Sequence, residues 1–196
     1  SFVEKPANQF SEIIKILYTG RFDWAKGLKE LAEAVVVLNN QSKHYQFELH
    51  FAGWQLDGKD EIVTWISEFF ARKGYNGSFF NHGKKSIGDE LNLVYRTSDI
   101  YIIPSYHEGF PRTIWEAMAQ GLPVIASKVG GIPDYLDNEV NAILIEPKSV
   151  QAIVDGVYRL IDSDGLNVEL TQNAMHLAHE STLEKQTKRL IQVIHE

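Results

Sequence analysis

The chain has 196 residues, of which 44% are hydrophobic and 23% charged, as in ordinary globular domains with one sizeable core. Its 19 basic and 26 acidic residues give a net charge of −7, which excludes a broad nucleic-acid-binding surface because such a surface requires the opposite sign. Cysteine is absent, which excludes disulfides and thiolate metal sites, and no apolar run approaches the roughly 18 residues that span a bilayer.

Short apolar runs that end at a glycine or a proline predict the strands. Residues 13–18 form such a run before Gly20, and residues 99–103 form another before Pro104. In chain order, the predicted strands span residues 13–18, 47–51, 78–81, 99–103, 123–127 and 142–145.

Apolar residues at helical spacing predict helices between these strands. The clearest set is Ile62, Trp65, Ile66, Phe69 and Phe70, which follows the i, i+3, i+4, i+7, i+8 pattern of an amphipathic helix. The predicted helices cover residues 28–35, 62–70, 91–95, 112–120 and 150–161, and the tail at 166–196 is predicted as two helices with a break near Ser181.

The alternation of strands and helices with short connections predicts an α/β fold with a doubly wound, Rossmann-like parallel sheet. Sheets of this class bind ligands at the carboxyl ends of their strands. The sequence has no internal repeat, linker or low-complexity stretch, so we expect one domain over residues 1–196. Its core spans about residues 13–163, followed by the helical tail at 166–196.

Residues 20–27, with the sequence GRFDWAKG, follow the first predicted strand. Gly20 and Gly27 permit turns and close backbone approach. Arg21 can grip phosphate oxygens through two hydrogen bonds, and Lys26 can supply a point charge. A solvated loop with two surface cations explains the segment equally well. Neither a P-loop nor a dinucleotide fingerprint is present, because the glycine spacing differs from both.

Residues 104–111 run from a strand into a helix that begins near Pro111, a position where proline's missing N–H is not needed. The amide groups at such a helix start form an anion site that suits a diphosphate. At a helical rise of about 1.5 Å per residue, the carboxylates of Glu108 and Glu116 could be up to ~12 Å apart. That separation suits two different hydroxyl groups on one extended ligand. An ordinary surface acid is the alternative for Glu116, although its neighbours are apolar.

Gly130 and Gly131 follow the strand at 123–127, where paired glycines are expected to expose backbone amides to a ligand, although a plain turn would look the same. The seven histidines are scattered, and none shows the spacing of a zinc-binding helix. His107 is expected to serve the loop rather than a ligand. No Ser-His-Asp order or nucleophile elbow supports acyl chemistry.

Taken together, these segments resemble glycosyltransferase family 4 (group 1), the retaining GT-B enzymes that use nucleotide-sugars. The resemblance covers roughly residues 13 to 163. Its motifs correspond here to Gly20, Arg21, Lys26 and Gly27, then to Pro104, Ser105, Glu108, Gly109 and Phe110, then to the pair Glu108 and Glu116, and finally to Gly130, Gly131, Pro133 and Asp134. Three positions depart from the pattern: Asp134 replaces Glu, Ala142 replaces Gly, and residues 181–183 lack the usual aromatic.

The resemblance implies specific roles. Arg21 and Lys26 neutralise the donor diphosphate, Glu108 faces the sugar hydroxyls, and Glu116 faces the ribose hydroxyls. The base lies near residues 81–84, and backbone amides near the helix start help hold sugar and phosphate. The implied catalytic residues are Arg21, Lys26 and Glu108, and the implied donor-binding residues are Gly20, Arg21, Lys26, Asn81, Lys84, Glu108, Gly109, Phe110, Thr113, Ile114, Glu116, Gly130 and Gly131.

The resemblance also implies a setting. No metal and no other cofactor is expected, because the cations and the helix start carry the leaving-group charge. The expected partners are a nucleotide-diphosphate sugar and an acceptor-binding N-terminal domain, which we expect to be missing from this chain, so that the chain binds donor without transferring sugar. Membrane contact is expected only through that other half. We expect a bacterial, cytoplasmic protein of polysaccharide biosynthesis, and the lack of cysteine fits a reducing compartment.

Other functional classes fit less well. A non-catalytic nucleotide-sugar binding module would use the same residues without transferring sugar. A GT-B sugar-nucleotide epimerase would lack the Glu-x7-Glu context, and a phosphorylase would need a pyridoxal-phosphate lysine. A nicotinamide-dependent oxidoreductase is disfavoured because the sequence has no Gly-x-Gly-x-x-Gly.

Overall fold

The structure is a computed structural model that describes residues 10–56, 60–75, 77–163, 165–182, 184, 185 and 187. Its strands are β1 (Ile13–Phe22), β2 (Gln46–Gln55), β3 (Phe79–Asn81), β4 (Ile100–Ile103), β5 (Val124–Ser127) and β6 (Ile143–Ile145). Its helices are α1 (Leu28–Gln41), α2 (Glu61–Arg72), α3 (Asp89–Arg96), α4 (Arg112–Ala119), α5 (Val150–Ile161) and α6 (Leu166–Glu180).

The six strands form one parallel sheet in the order β3-β2-β1-β4-β5-β6. The chain therefore starts in the middle, runs to one edge, returns to β4 beside β1, and continues to the other edge. This order confirms the predicted doubly wound, Rossmann-like fold. It also creates a switch point between the carboxyl ends of β1 and β4, where sheets of this class bind their ligands.

The sheet is buried under two groups of helices. Helix α1 packs against α2 and α5, and α4 packs against α3 and α6. All four residues of β4 and all four of β5 are buried, as expected for central parallel strands covered on both faces. The apolar stripe of α2 faces inward through Ile62, Ile66 and Phe70, which confirms the predicted helix.

Strand β1 is longer than its sequence predicts, because Gly20 does not end it. Pairing with β2 continues to Phe22, which lies opposite Gln55 and is buried. Gly20 has a φ of 139° and pairs with Gly53, where a Cβ atom would overlap the Gly20 carbonyl oxygen. The two glycines allow the strand backbones to approach closely rather than marking a turn.

The first tail helix, α6, ends at Glu180 with Ser181 as its C-terminal cap, which agrees with the predicted break. The predicted second tail helix lies largely outside the described residues. Within the part of the chain that the structure describes, no helix is long and apolar enough to cross a membrane.

Candidate functional site

Lys26 lies on a short 3₁₀ turn, Trp24–Lys26, directly after β1. Asp23 caps this turn, because its Oδ1 accepts a hydrogen bond of 2.9 Å from the Ala25 amide. The Lys26 Nζ atom lies 2.6 Å from Oε1 of Glu108, and the two side chains are only 21% and 11% exposed. The structure thus joins two predicted site residues in a largely buried ion pair.

Glu108 lies in the loop after β4, where Ser105 also donates a hydrogen bond of 2.7 Å to its Oε1. The loops after β1 and β4 meet elsewhere too. The Tyr106 amide donates to the Ala25 carbonyl at 2.9 Å, and a Cβ atom on Gly27 would overlap the Pro104 carbonyl oxygen. The predicted close approach at Gly27 is therefore made to the β4 loop, and the ion pair lies at the switch point of the sheet.

Arg21 is half-exposed at the end of β1, and its guanidinium lies 3.2 Å from Oδ2 of Asp23. Each of the two predicted phosphate-binding cations therefore has a carboxylate partner. Lysine carries three N–H donors and arginine five, so both side chains retain donors beyond these single contacts. The site is a paired network of charges rather than an uncompensated positive cleft.

Glu116 lies on α4, and its two oxygens have different neighbours. The Tyr95 hydroxyl donates a hydrogen bond of 3.0 Å to Oε2, and the Arg112 guanidinium lies 3.5 Å from Oε1. The Glu116 side chain is 26% exposed, whereas the Arg112 side chain is 75% exposed. Burial raises the pKa of Tyr95 well above its usual value, so its hydroxyl stays protonated and acts as the donor.

The start of α4 only partly agrees with the expected anion site. The amide of Ile114 donates to the Pro111 carbonyl at 3.1 Å, and the Ile114 side chain is fully buried. This amide already has a protein acceptor, and its contact with a ligand stays a prediction. Phe110 packs against Trp115 and Tyr135, with ring centroids 4.8 Å away in both cases.

The glycine pair after β5 contacts protein rather than displaying its backbone. The Gly131 amide donates to the Gly109 carbonyl at 2.9 Å. Gly130 has a φ of 55°, and a Cβ atom there would overlap the Glu108 carbonyl oxygen. The expectation that Gly131 exposes its amide to a ligand is therefore wrong, because the β5 loop packs directly on the β4 loop. The glycines instead support the backbone that carries Glu108.

Asn81 and Lys84 lie near the carboxyl ends of β2 and β3. The Asn81 Oδ1 accepts a hydrogen bond of 3.0 Å from the Gly83 amide, so this side chain shapes its own loop. The Lys84 Nζ atom lies 5.4 Å from the centroid of the Trp54 ring. Trp54 is the partner of Arg21 in the β1–β2 register, so this exposed region adjoins the predicted phosphate-binding residue.

The structure also brings together two of the histidines that look scattered in the sequence. His50 Nδ1 lies 2.9 Å from His82 Nε2, and His50 Nε2 lies 3.1 Å from Glu48 Oε2. The Phe80 ring stacks on His50 at 4.7 Å. Burial lowers the pKa of both histidines, although the Glu48 carboxylate opposes this shift at His50. Adjacent strands β2 and β3 create this cluster, which local spacing cannot reveal.

Sequence inspection misses three supports of the site: Ser105 as a donor to Glu108, Tyr95 as a donor to Glu116, and Trp54 beside Lys84. Tyr95 follows a helical apolar pattern and looks like a plain core residue. Its one usable signal is chemical, since a buried tyrosine hydroxyl needs a hydrogen-bond partner.

Comparisons with known proteins identify the family of the chain and the fold that it shares with solved structures. The family model "Glycosyl transferases group 1" matches residues 3–177. An uncharacterized glycosyltransferase of Methanocaldococcus jannaschii is 30% identical over 165 residues, which are 84% of this chain and 40% of that protein. The C-terminal domain of a glycosyl transferase group 1 family protein from Francisella tularensis superposes with a TM-score of 0.76 at 27% identity, covering 86% of this chain and 85% of that one.

An Anabaena protein crystallised with UDP and glucose superposes with a TM-score of 0.81, covering 94% of this chain and 49% of that chain. At 20% identity, this likeness shows a shared fold alone. The chain thus spans about half the length of the Anabaena structure, at 49%, and 40% of the M. jannaschii relative. Because the family model covers most of its residues, this chain belongs to the family of group 1 glycosyl transferases.

Proposed function

We propose that this chain is the donor-binding domain of a retaining, family 4-type glycosyltransferase of GT-B architecture, and that it binds a nucleotide-diphosphate sugar. The observation that carries the proposal is the ion pair of 2.6 Å between Lys26 and Glu108. It sets a cation and a hydroxyl-binding carboxylate side by side at the switch point, which is where a doubly wound sheet binds its ligand. A sugar diphosphate presents phosphate oxygens next to hydroxyl groups, and it needs both kinds of partner.

The diphosphate would be held by Lys26, Arg21 and the start of α4. Lys26 donates one of its three N–H groups to Glu108, which leaves two that could donate to phosphate oxygens. The helix start adds a partial positive charge of roughly half a unit. When the bond from the anomeric carbon to the diphosphate breaks, these groups stabilise the charge that collects on the leaving oxygen. On this proposal the chemistry requires no metal ion and no other cofactor.

The two carboxylates would bind hydroxyl groups at separate points of the donor. Glu108 would accept hydrogen bonds from the sugar, and Glu116 from the ribose. The base would lie near residues 81–84, beside Trp54. The presence of UDP in the Anabaena relative supports a nucleoside diphosphate as the ligand class.

Transfer itself would require a second half, because the M. jannaschii and Anabaena relatives are about twice as long as this chain. The acceptor site would lie on that half, across the cleft from Glu108. Retention of anomeric configuration, a cytoplasmic location and a role in polysaccharide synthesis belong to the same proposal. They rest on the resemblance to family 4.

Calorimetry with UDP-glucose, GDP-mannose and ADP-glucose tests the proposal on the 196-residue chain. We expect at least one donor to bind, and we expect Lys26→Ala and Glu116→Ala each to weaken it by about 1.5–3 kcal/mol. Lys29→Ala is the matched control, because it removes an exposed cation from α1 and should leave the affinity unchanged. Unaltered affinity in both site variants, measured on folded protein, would overturn the proposed site.

A further inference from the structure

We propose that Tyr95 is a positioning residue for Glu116, and that its buried hydroxyl fixes the carboxylate that receives the ribose hydroxyls. This inference rests on the proposed function, because it presupposes that Glu116 touches the ribose. It assigns a role to a residue on α3 that lies outside the motifs shared with the family.

The geometry forms a chain of hydrogen bonds from the core to the site. Tyr95 is fully buried, and its hydroxyl lies 3.0 Å from Glu116 Oε2 and 2.7 Å from Thr19 Oγ1. Thr19 on β1 is itself buried, and its Oγ1 lies 3.3 Å from the Tyr101 hydroxyl on β4. Thr19 on β1 therefore holds the Tyr95 hydroxyl from the core side, whereas the Glu116 carboxylate at the other end is 26% exposed.

Proton counting sets the direction of these bonds. A tyrosine hydroxyl has one proton, and a carboxylate can only accept. Tyr95 therefore gives its proton to Glu116, and the single hydroxyl proton of Thr19 lies between the Tyr95 and Tyr101 oxygens. The raised pKa of Tyr95, caused mainly by burial, keeps that proton in place. Glu116 Oε2 is thus occupied from the protein side. Oε1 lies 3.5 Å from the exposed Arg112 guanidinium and can accept a further hydrogen bond from a ligand hydroxyl.

This arrangement would lower the entropic cost of binding. An unrestrained glutamate side chain loses rotamer freedom when a ligand immobilises it. The bond from Tyr95 imposes that restriction before the ligand arrives, and a hydrogen bond to a charged group is stronger than a neutral one. If Tyr95 only filled space, phenylalanine would replace it without loss of affinity.

The test uses calorimetry on the whole 196-residue chain. The probes are the best binder among UDP, GDP and ADP and the 2′,3′-dideoxy form of the same diphosphate. We expect Tyr95→Phe to weaken the ribose-containing ligand about three- to tenfold and to leave the dideoxy ligand unchanged. Glu116→Gln should weaken the same ligand, and Tyr95→Phe should have no further effect in that background. Tyr75→Phe is the matched control, since it removes a tyrosine hydroxyl that donates to Asn40 on α1 and belongs to a different contact, and it should keep both affinities within about twofold.

The outcomes separate this inference from the proposed function. If Tyr95→Phe binds with wild-type affinity while Glu116→Gln binds more weakly, the inference alone is overturned. Equal weakening of both ligands by Tyr95→Phe would also overturn the inference alone. Unchanged affinity in Glu116→Gln would overturn the ribose role and the inference together. If Tyr95→Phe does not fold, Thr19→Val, which removes the hydroxyl 2.7 Å from that of Tyr95, must lower affinity for the ribose-containing ligand selectively.

Discussion

Lys26 and Glu108 are separated by 82 residues in the chain, yet Nζ of the lysine lies 2.6 Å from Oε1 of the glutamate. The pair joins the loops after β1 and β4 across the switch point of the sheet. Ser105 donates to the same carboxylate oxygen, so the glutamate is held from both sides. Because both side chains are largely buried, neither charge is well solvated without the other.

Removing one member of this pair should destabilise the fold. We expect Lys26→Met to lower the free energy of unfolding by about 1–3 kcal/mol, because the largely buried Glu108 side chain then has one hydrogen-bond partner fewer. The double variant Lys26→Met/Glu108→Gln should lose less than the sum of the single variants, with a coupling of about 0.5–3 kcal/mol. Urea denaturation measures all four proteins, and strict additivity would contradict a coupled pair.

The backbone packing at Gly130 gives a second prediction. Gly130→Ala should be more destabilising than Gly74→Ala, although both glycines have positive φ values, of 55° and 82°. The left-handed conformation costs an alanine about 1–2 kcal/mol at either site. Only at Gly130 does the new Cβ atom also overlap the Glu108 carbonyl oxygen, whereas Gly74 faces open space. Equal losses in thermal or urea denaturation would show that this close approach is unimportant.

The histidine cluster should make stability depend on pH. Burial holds the pKa of His50 and His82 below the usual value of about 6.5, so the unfolded state binds more protons in mildly acidic solution. The free energy of unfolding should therefore fall as the pH drops below about 6.5. This fall should end once the pH lies below the lowered pKa values of the folded state.

The double variant His50→Asn/His82→Gln tests this sign, because it should flatten that part of the pH profile. His44→Gln replaces an exposed histidine and should leave the slope unchanged. Urea denaturation at a series of pH values from about 7 to 5 provides the comparison. A double variant with the wild-type slope would show that the cluster does not govern acid sensitivity.

Apolar periodicity, together with the glycines and prolines that end apolar runs, is sufficient to predict the fold, because buried strands and amphipathic helices impose local patterns. The end of β1 differs from the prediction for a non-local reason. Gly20 looks like a terminator, yet the structure uses it where β1 and β2 approach at Gly53. The sequence likewise predicts an exposed Gly131 amide, whereas tertiary packing directs its hydrogen bond to the Gly109 carbonyl.

The sequence predicts where the candidate site residues lie but not which side chains they pair with. Motif positions bring Arg21, Lys26, Glu108 and Glu116 to the carboxyl ends of the strands. No local pattern indicates that Lys26 pairs with Glu108, or that Tyr95 from α3 donates to Glu116. Such contacts depend on the angle between elements and on side-chain reach.

A thermal-shift panel of UDP-, GDP- and ADP-sugars on the 196-residue chain tests the proposed donor binding most directly. A ligand at about 100 times its dissociation constant adds roughly 2.7 kcal/mol of stability. For a chain of this size, that corresponds to an increase in Tm of about 5–10 °C. We predict such an increase for at least one of the three donors, and a smaller one at the same concentration in Lys26→Ala. No shift with any donor up to millimolar concentrations, together with no heat of binding, would contradict donor binding at this site.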